Sequence, residues 1–204
     1  MSAEMFLRLL RERRSVRKFR PMTLERELLA RLVEHATWAP SAGNRQDWYF
    51  TVVTSPRVRL RMAQAVRDRW TSIAAAHQDL GMIHELAAYA AHFGDFEEAP
   101  ALVIVSARAV DSLHEHLLGK DASATAGSFA SAAMAAQNLM LAAHALGLGT
   151  CCMTGALAAR NELGKIAGLG NKQEIVCLIA VGWPDEAPPA PERKPPTETV
   201  RFLE

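Results

Sequence analysis

The residues best suited to chemistry in this chain stand in two short clusters. Arg13-Arg14-Ser15-Val16-Arg17 places three guanidiniums and a hydroxyl within five residues, with Lys18 and Arg20 just beyond. Guanidinium forks pair bidentately with phosphate oxygens, so this donor set suits a dianionic phosphate. Read alone, the same arginines serve equally well as solvated charges at a helix C-terminus, where cations complement the helix dipole. The second cluster, Pro40-Ser41-Ala42-Gly43-Asn44-Arg45-Gln46, is a polar loop with a glycine hinge and two carboxamides. Carboxamides carry both donors and acceptors, which matches the edge of a heteroaromatic ring; the plain alternative is a polar turn between a helix and a strand.

Gly147-Leu148-Gly149 invites comparison with a dinucleotide fingerprint. That reading fails, because Cys152 stands at the third glycine position and the motif follows a helix where the fingerprint must follow a strand. The glycine pair is better read as ending a long helix and turning the chain so that Cys152-Met153-Thr154-Gly155 runs alongside a ligand. Neither a Ser-His-Asp arrangement nor a convincing carboxylate pair is present. His77, His84, His92, His114 and His116 lack tight metal-ligand spacing or a neighbouring carboxylate, and read as solvated or hydrogen-bonded side chains rather than ligands. No metal is expected.

Several classes are excluded by composition. The 204 residues are half hydrophobic, enough to bury a substantial core in one domain. Net charge is only +1, and the basic charge is local: residues 8 to 20 hold Arg8, Arg11, Arg13, Arg14, Arg17, Lys18 and Arg20 against Glu12. A nucleic-acid binder spreads its positive charge over a face and carries a recognisable module, and neither is visible. No apolar run approaches the roughly 20 residues that span a bilayer, and Met1-Ser2-Ala3-Glu4 opens no secretory segment, so a cytoplasmic protein is expected. Cys151, Cys152 and Cys177 have no Cys-x-x-Cys spacing and read as small buried residues.

The elements that must carry these clusters follow from periodicity. Met5 to Arg11 forms a short helix with Phe6, Leu9 and Leu10 on one face. Thr23 caps a second helix, which runs with Leu24, Leu28 and Leu32 on its apolar stripe and stops before Trp38-Ala39-Pro40. The loop then delivers a strand from Trp48 to Thr54. Residues 57 to 70 are helical through Val58, Met62 and Val66, and residues 71 to 93 continue so. Ala101 to Ala107 and Ile175 to Gly182 are continuous apolar strands, buried on both faces. Between them Asp121 to Leu146 is the longest helix, with Ala132, Ala133, Ala136, Leu139, Met140 and Ala143 at helical spacing. Six of the ten prolines fall between Pro184 and Pro196, which makes residues 184–204 an extended tail rather than a second domain.

Taken in order, the arginine cluster, the 40–46 loop, Gly147-Leu148-Gly149-Thr150 and Arg193-Lys194 resemble the nitroreductase family of FMN-dependent NAD(P)H oxidoreductases over nearly the whole chain. The resemblance implies one domain over residues 1–204 with an α+β fold: a small mixed, mainly antiparallel sheet flanked by helices, in an intertwined homodimer. Carried over residue by residue, Arg13, Arg14 and Ser15 match phosphate and ribityl contacts and Arg17 the cation at the pyrimidine edge. Arg193 and Lys194 match a second clamp on the phosphate. Pro40, Ser41, Ala42, Asn44 and Gln46 match contacts supplied by the neighbouring subunit. Met153, Thr154 and Gly155 match the stretch beside the flavin N5, where the chemistry occurs without a catalytic side chain. Relatives often carry an acid where this chain has Thr154. Residues 70–95 match the variable region that often covers the substrate side, a candidate lid. The implied activity is ping-pong hydride transfer from NAD(P)H to nitroaromatics, quinones or similar acceptors. Two alternatives remain open: a specialised branch that fragments flavin or reductively dehalogenates, and a non-catalytic FMN-binding protein.

Overall fold

The computed structural model describes residues 2–76, 95–108 and 124–203. Its centre is a four-stranded antiparallel sheet in the order β1 (Trp48–Val53), β2 (Ala101–Arg108), β4 (Gln173–Gly182), β3 (Gly149–Met153). Alternate residues of the two middle strands feed two cores. Val103, Val105, Ile179 and Val181 pack with α2 (Arg26–Ala36) and α4 (Ala124–Ala145), through Leu29, Leu32, Ala132, Ala135 and Leu139. Leu102, Ile104, Leu178 and Ala180 pack on the other face with α3 (Pro56–Ala75) and α5 (Arg160–Ala167), through Met62, Ala63, Val66 and Leu163. Covered on both faces, β2 and β4 need no polar alternation, which is why their sequences are continuously apolar.

The expected α+β architecture stands, with local corrections. β3 carries no strand signal in its sequence, because it is only five residues long, Gly149–Met153; it exists by pairing Gly149 with Gly182, Cys151 with Ala180 and Met153 with Leu178. Thr23 does not cap α2. Glu25 occupies that position without a side-chain cap bond, because Leu24 is drawn into the core and the chain becomes helical only after it. Ala133 is exposed, and Ala135 faces inward in its place.

α1 (Ala3–Glu12) is capped by Ser2, whose hydroxyl accepts the Met5 amide at 3.3 Å, yet it buries no residue. Met5, Phe6, Leu7 and Leu10 are exposed along it. α3 follows the expected spacing as far as Ala75. The rest of the helix expected to residue 93, most of the 70–95 lid, and His77, His84, His92, His114 and His116 lie outside the described residues. The tail beyond Gly182 is largely exposed and is interrupted by one helical turn, α6 (Pro196–Thr199), where Pro196 supplies the helical φ at the first position.

Candidate cofactor site

The arginine segment is clipped along the edge of the sheet. Ser15 pairs in parallel with Thr150 of β3, and the Val16 amide donates to the Thr150 carbonyl at 2.9 Å. Further on, the Arg20 amide donates to the Trp183 carbonyl at 2.9 Å and the Asp185 amide to the Lys18 carbonyl at 3.0 Å. Two glycines permit this approach. A Cβ on Gly149 would lie 2.8 Å from that of Val16, and one on Gly182 would lie 2.6 Å from Pro100 and 2.7 Å from Phe19.

The result is a cleft of about 370 Å³ whose walls include Arg13, Arg14, Thr150, His144 and two carboxylates, Glu12 and Glu186. Arg14 is held at the end of α1, donating to the Arg11 and Arg13 carbonyls at 2.6 and 2.9 Å. It therefore fills the helix-terminus role that sequence allowed for these arginines and lines the cleft as well. Burial pushes the His144 imidazole below its ordinary range, against the opposing pull of Glu12. Arg17 lies outside the cleft wall, exposed, with its guanidinium 3.4 Å from the Ser15 carbonyl.

The 40–46 loop is a built structure rather than a slack turn. Gly43, Asn44 and Gln46 adopt left-handed φ of 60°, 52° and 53°. Ser41 Oγ accepts the Gln46 amide at 3.1 Å, and the Ala42 amide donates to Ser131 Oγ of α4 at 3.1 Å. Gln46 Nε2 donates to Asn44 Oδ1 at 3.2 Å, so the pair still presents the Asn44 amide group and the Gln46 carbonyl outward. Arg45 pairs with Asp47 at 2.7 Å instead of joining the other arginines. Ala42 opens the 3₁₀ turn Ala42–Asn44, and Pro40 is exposed ahead of it.

Met153 is buried at the end of β3, Thr154 is exposed, and Gly155 opens a 3₁₀ turn. The Gly155 carbonyl accepts the Trp70 indole N–H at 3.2 Å, which ties this corner to α3. Cys152 departs from the expectation of three buried thiols: Cys151 and Cys177 are buried, while Cys152 is exposed on the edge strand. The Cys177 thiol hydrogen-bonds to Cys152 and lowers its pKa, whereas burial raises that of Cys151. Arg193 and Lys194 lie in the exposed tail and are not brought to the cleft. Among the described residues, no three His, Cys, Asp or Glu side chains gather as a metal site.

Within one protomer these pieces do not close. The arginine segment lies on β3 at one edge of the sheet, whereas the 40–46 loop leads into β1 at the other. Three strand spacings of about 4.8 Å put the two edges roughly 14 Å apart, with both sheet faces filled by core. Sequence reasoning missed Glu186, His144 and Trp70. These three carry no spacing signal, and Thr150, quoted only within the glycine motif, serves as a backbone partner of the arginine segment.

Comparison with known proteins bears on the family and the fold. The nitroreductase family profile matches residues 10–183. The 5,6-dimethylbenzimidazole synthase of Rhodospirillum rubrum is 33% identical over 184 residues, covering 88% of this chain and 82% of that protein. A putative NAD(P)H nitroreductase of Bacillus subtilis is 28% identical over 190 residues, covering 86% and 88%. A BluB-like flavoprotein from Clostridium difficile shares the fold with a TM-score of 0.85 at 22% identity, covering 98% of this chain and 99% of that one.

Proposed function

Because this chain belongs to the nitroreductase family, we propose that it is an FMN-dependent oxidoreductase working as a homodimer, with NAD(P)H as reductant and a nitroaromatic, quinone or similar electron-poor molecule as acceptor. The observation that carries the reading is the clipping of the arginine segment against β3, which sets Arg13 and Arg14 side by side in one cleft. Their donor set fits a phosphate, and the outward amide and carbonyl of Asn44 and Gln46 fit a ring edge. FMN, when bound, supplies hydride chemistry at N5; the protein supplies position and charge.

In this reading Arg13, Arg14 and Ser15 hold the phosphate and ribityl chain, Arg17 faces the pyrimidine edge, and Arg193 with Lys194 closes from the tail. A second copy supplies Pro40, Ser41, Ala42, Asn44 and Gln46, which the opposite-edge placement keeps away from the arginines of their own protomer. The apolar side chains exposed on α1 give that copy a surface to cover. Met153, Thr154 and Gly155 line the reactive edge, with Trp70 fixing the last. We place such an enzyme in the cytoplasm; no helix among the described residues is long and apolar enough to cross a membrane.

The test is NAD(P)H oxidation by the FMN-loaded protein across an acceptor panel. Flavin binding without turnover leaves a non-catalytic FMN protein. A second reading has its own support in the Rhodospirillum relative, whose name describes synthesis of 5,6-dimethylbenzimidazole. Chromatography of the flavin after aerobic incubation with reductant separates the two, since only a flavin-consuming branch fails to return intact FMN.

A further inference from the structure

Resting on that reading, we propose that Glu186 is a positioning residue, holding the arginine segment in register with the root of the C-terminal tail and so setting the span between the two cationic halves of the phosphate clamp. One carboxylate oxygen of Glu186 accepts the backbone amides of both Arg17 and Lys18, the latter at 3.1 Å, across almost the whole length of the chain. Its neighbours carry the same seam, where Asp185 N–H meets the Lys18 carbonyl and Phe19 bridges Pro184. Glu186 extends the seam past its last backbone bond, and it does so on the wall of the cleft that holds Arg13 and Arg14. The Arg17 amide, with smaller help from the amide of Lys18 and the charges of both residues, holds the carboxyl below the usual carboxylate range, so it is ionised at neutral pH.

The charge makes the inference testable. A bare carboxylate among arginines repels an incoming phosphate, so a residue present only as charge would improve anion binding when removed. A residue that sets register would weaken binding when removed and be rescued by a neutral side chain that keeps the acceptor oxygen. The two roles thus predict opposite signs for one substitution.

The experiment compares wild type, Glu186→Ala and Glu186→Gln in the full-length protein, titrating FMN and riboflavin by quenching of flavin fluorescence and following amide hydrogen exchange. Glu186→Ala is expected to weaken FMN about ten- to hundredfold, as for lost hydrogen bonds to a charged group, and riboflavin far less. Glu186→Gln should bind FMN as tightly as wild type or tighter. The amides of Arg17 and Lys18 should exchange slowly in wild type and Glu186→Gln and quickly in Glu186→Ala. If wild type binds FMN and Glu186→Ala binds it equally well or better, this role is overturned while the flavin reading stands. If wild type itself does not bind FMN, the flavin reading falls and takes this role with it.

Discussion

Val16 donates its amide to the Thr150 carbonyl at 2.9 Å while its side chain fills the space that a side chain on Gly149 would need. A buried valine between arginines, with 6% of its surface exposed, thus anchors a segment in which Arg13, Arg14 and Ser15 are half-buried and Arg17 is exposed. The same contact joins stability to the site, because anything that lifts Val16 from β3 also moves Arg13 and Arg14.

That link gives the first prediction. Gly149→Ala forces its new Cβ against Val16 and should cost about 1–3 kcal/mol, the usual range for overpacking. In a chain of this size each kcal/mol lowers Tm by roughly 2–4 °C. Val16→Gly removes the opposing side chain, so the double mutant should be more stable than the sum of the two singles predicts. Strict additivity in thermal denaturation would disprove the contact.

The phosphate assignment rests on Arg13 more cleanly than on Arg14, whose guanidinium already serves the carbonyls at the end of α1. Arg13→Ala should weaken FMN by about 1.5–3 kcal/mol, as for a hydrogen bond to a charged group, and leave riboflavin nearly unchanged. Isothermal titration with both flavins decides the matter. An equal loss for the two would move the phosphate elsewhere.

The cysteines should react in a fixed order. Cys152 is exposed, and the Cys177 hydrogen bond holds its pKa below the ordinary thiol range, so more of it is thiolate at a given pH. Burial raises the pKa of Cys151, and for Cys177 the hydrogen bond with Cys152 does so first, with burial adding to it. Iodoacetamide applied to the flavin-free protein should alkylate Cys152 alone, at a rate that climbs with pH earlier than that of a free thiol. Mass spectrometry reads the site, and early labelling of Cys151 or Cys177 would contradict the burial.

The sequence made the strongly periodic parts legible and left the contacts silent. Leu32, Met62 and Val66 and the apolar runs of β2 and β4 announce themselves because burial repeats with the period of the backbone, whereas the stripe expected through Leu28 runs through Leu29 instead. β3 has no such signal: its five residues become a strand only because β4 offers an edge, a long-range event. The clusters at 13–17 and 40–46 were visible as chemistry, since guanidiniums and carboxamides are rare in such density. What escaped was their support. Glu186 is one acid in a proline-rich tail, and nothing nearby in sequence says that its carboxylate meets the amides of Arg17 and Lys18.

The separation of the two clusters to opposite edges of the sheet yields the last prediction. If Arg14 and Asn44 meet at one flavin from different subunits, Arg14→Glu and Asn44→Asp should each abolish FMN binding as homodimers, by placing negative charge beside the cofactor. Unfolding, mixing in equal amounts and refolding pairs the chains at random, and about half of the dimers become heterodimers. Each heterodimer has one site carrying both lesions and one site carrying neither. Half of the sites in half of the dimers are then intact, so about one quarter of wild-type flavin occupancy and NAD(P)H oxidation should return. Were both residues to serve a site within a single protomer, every site would keep one lesion and mixing would restore nothing, which would reject the shared geometry even in a protein that binds FMN.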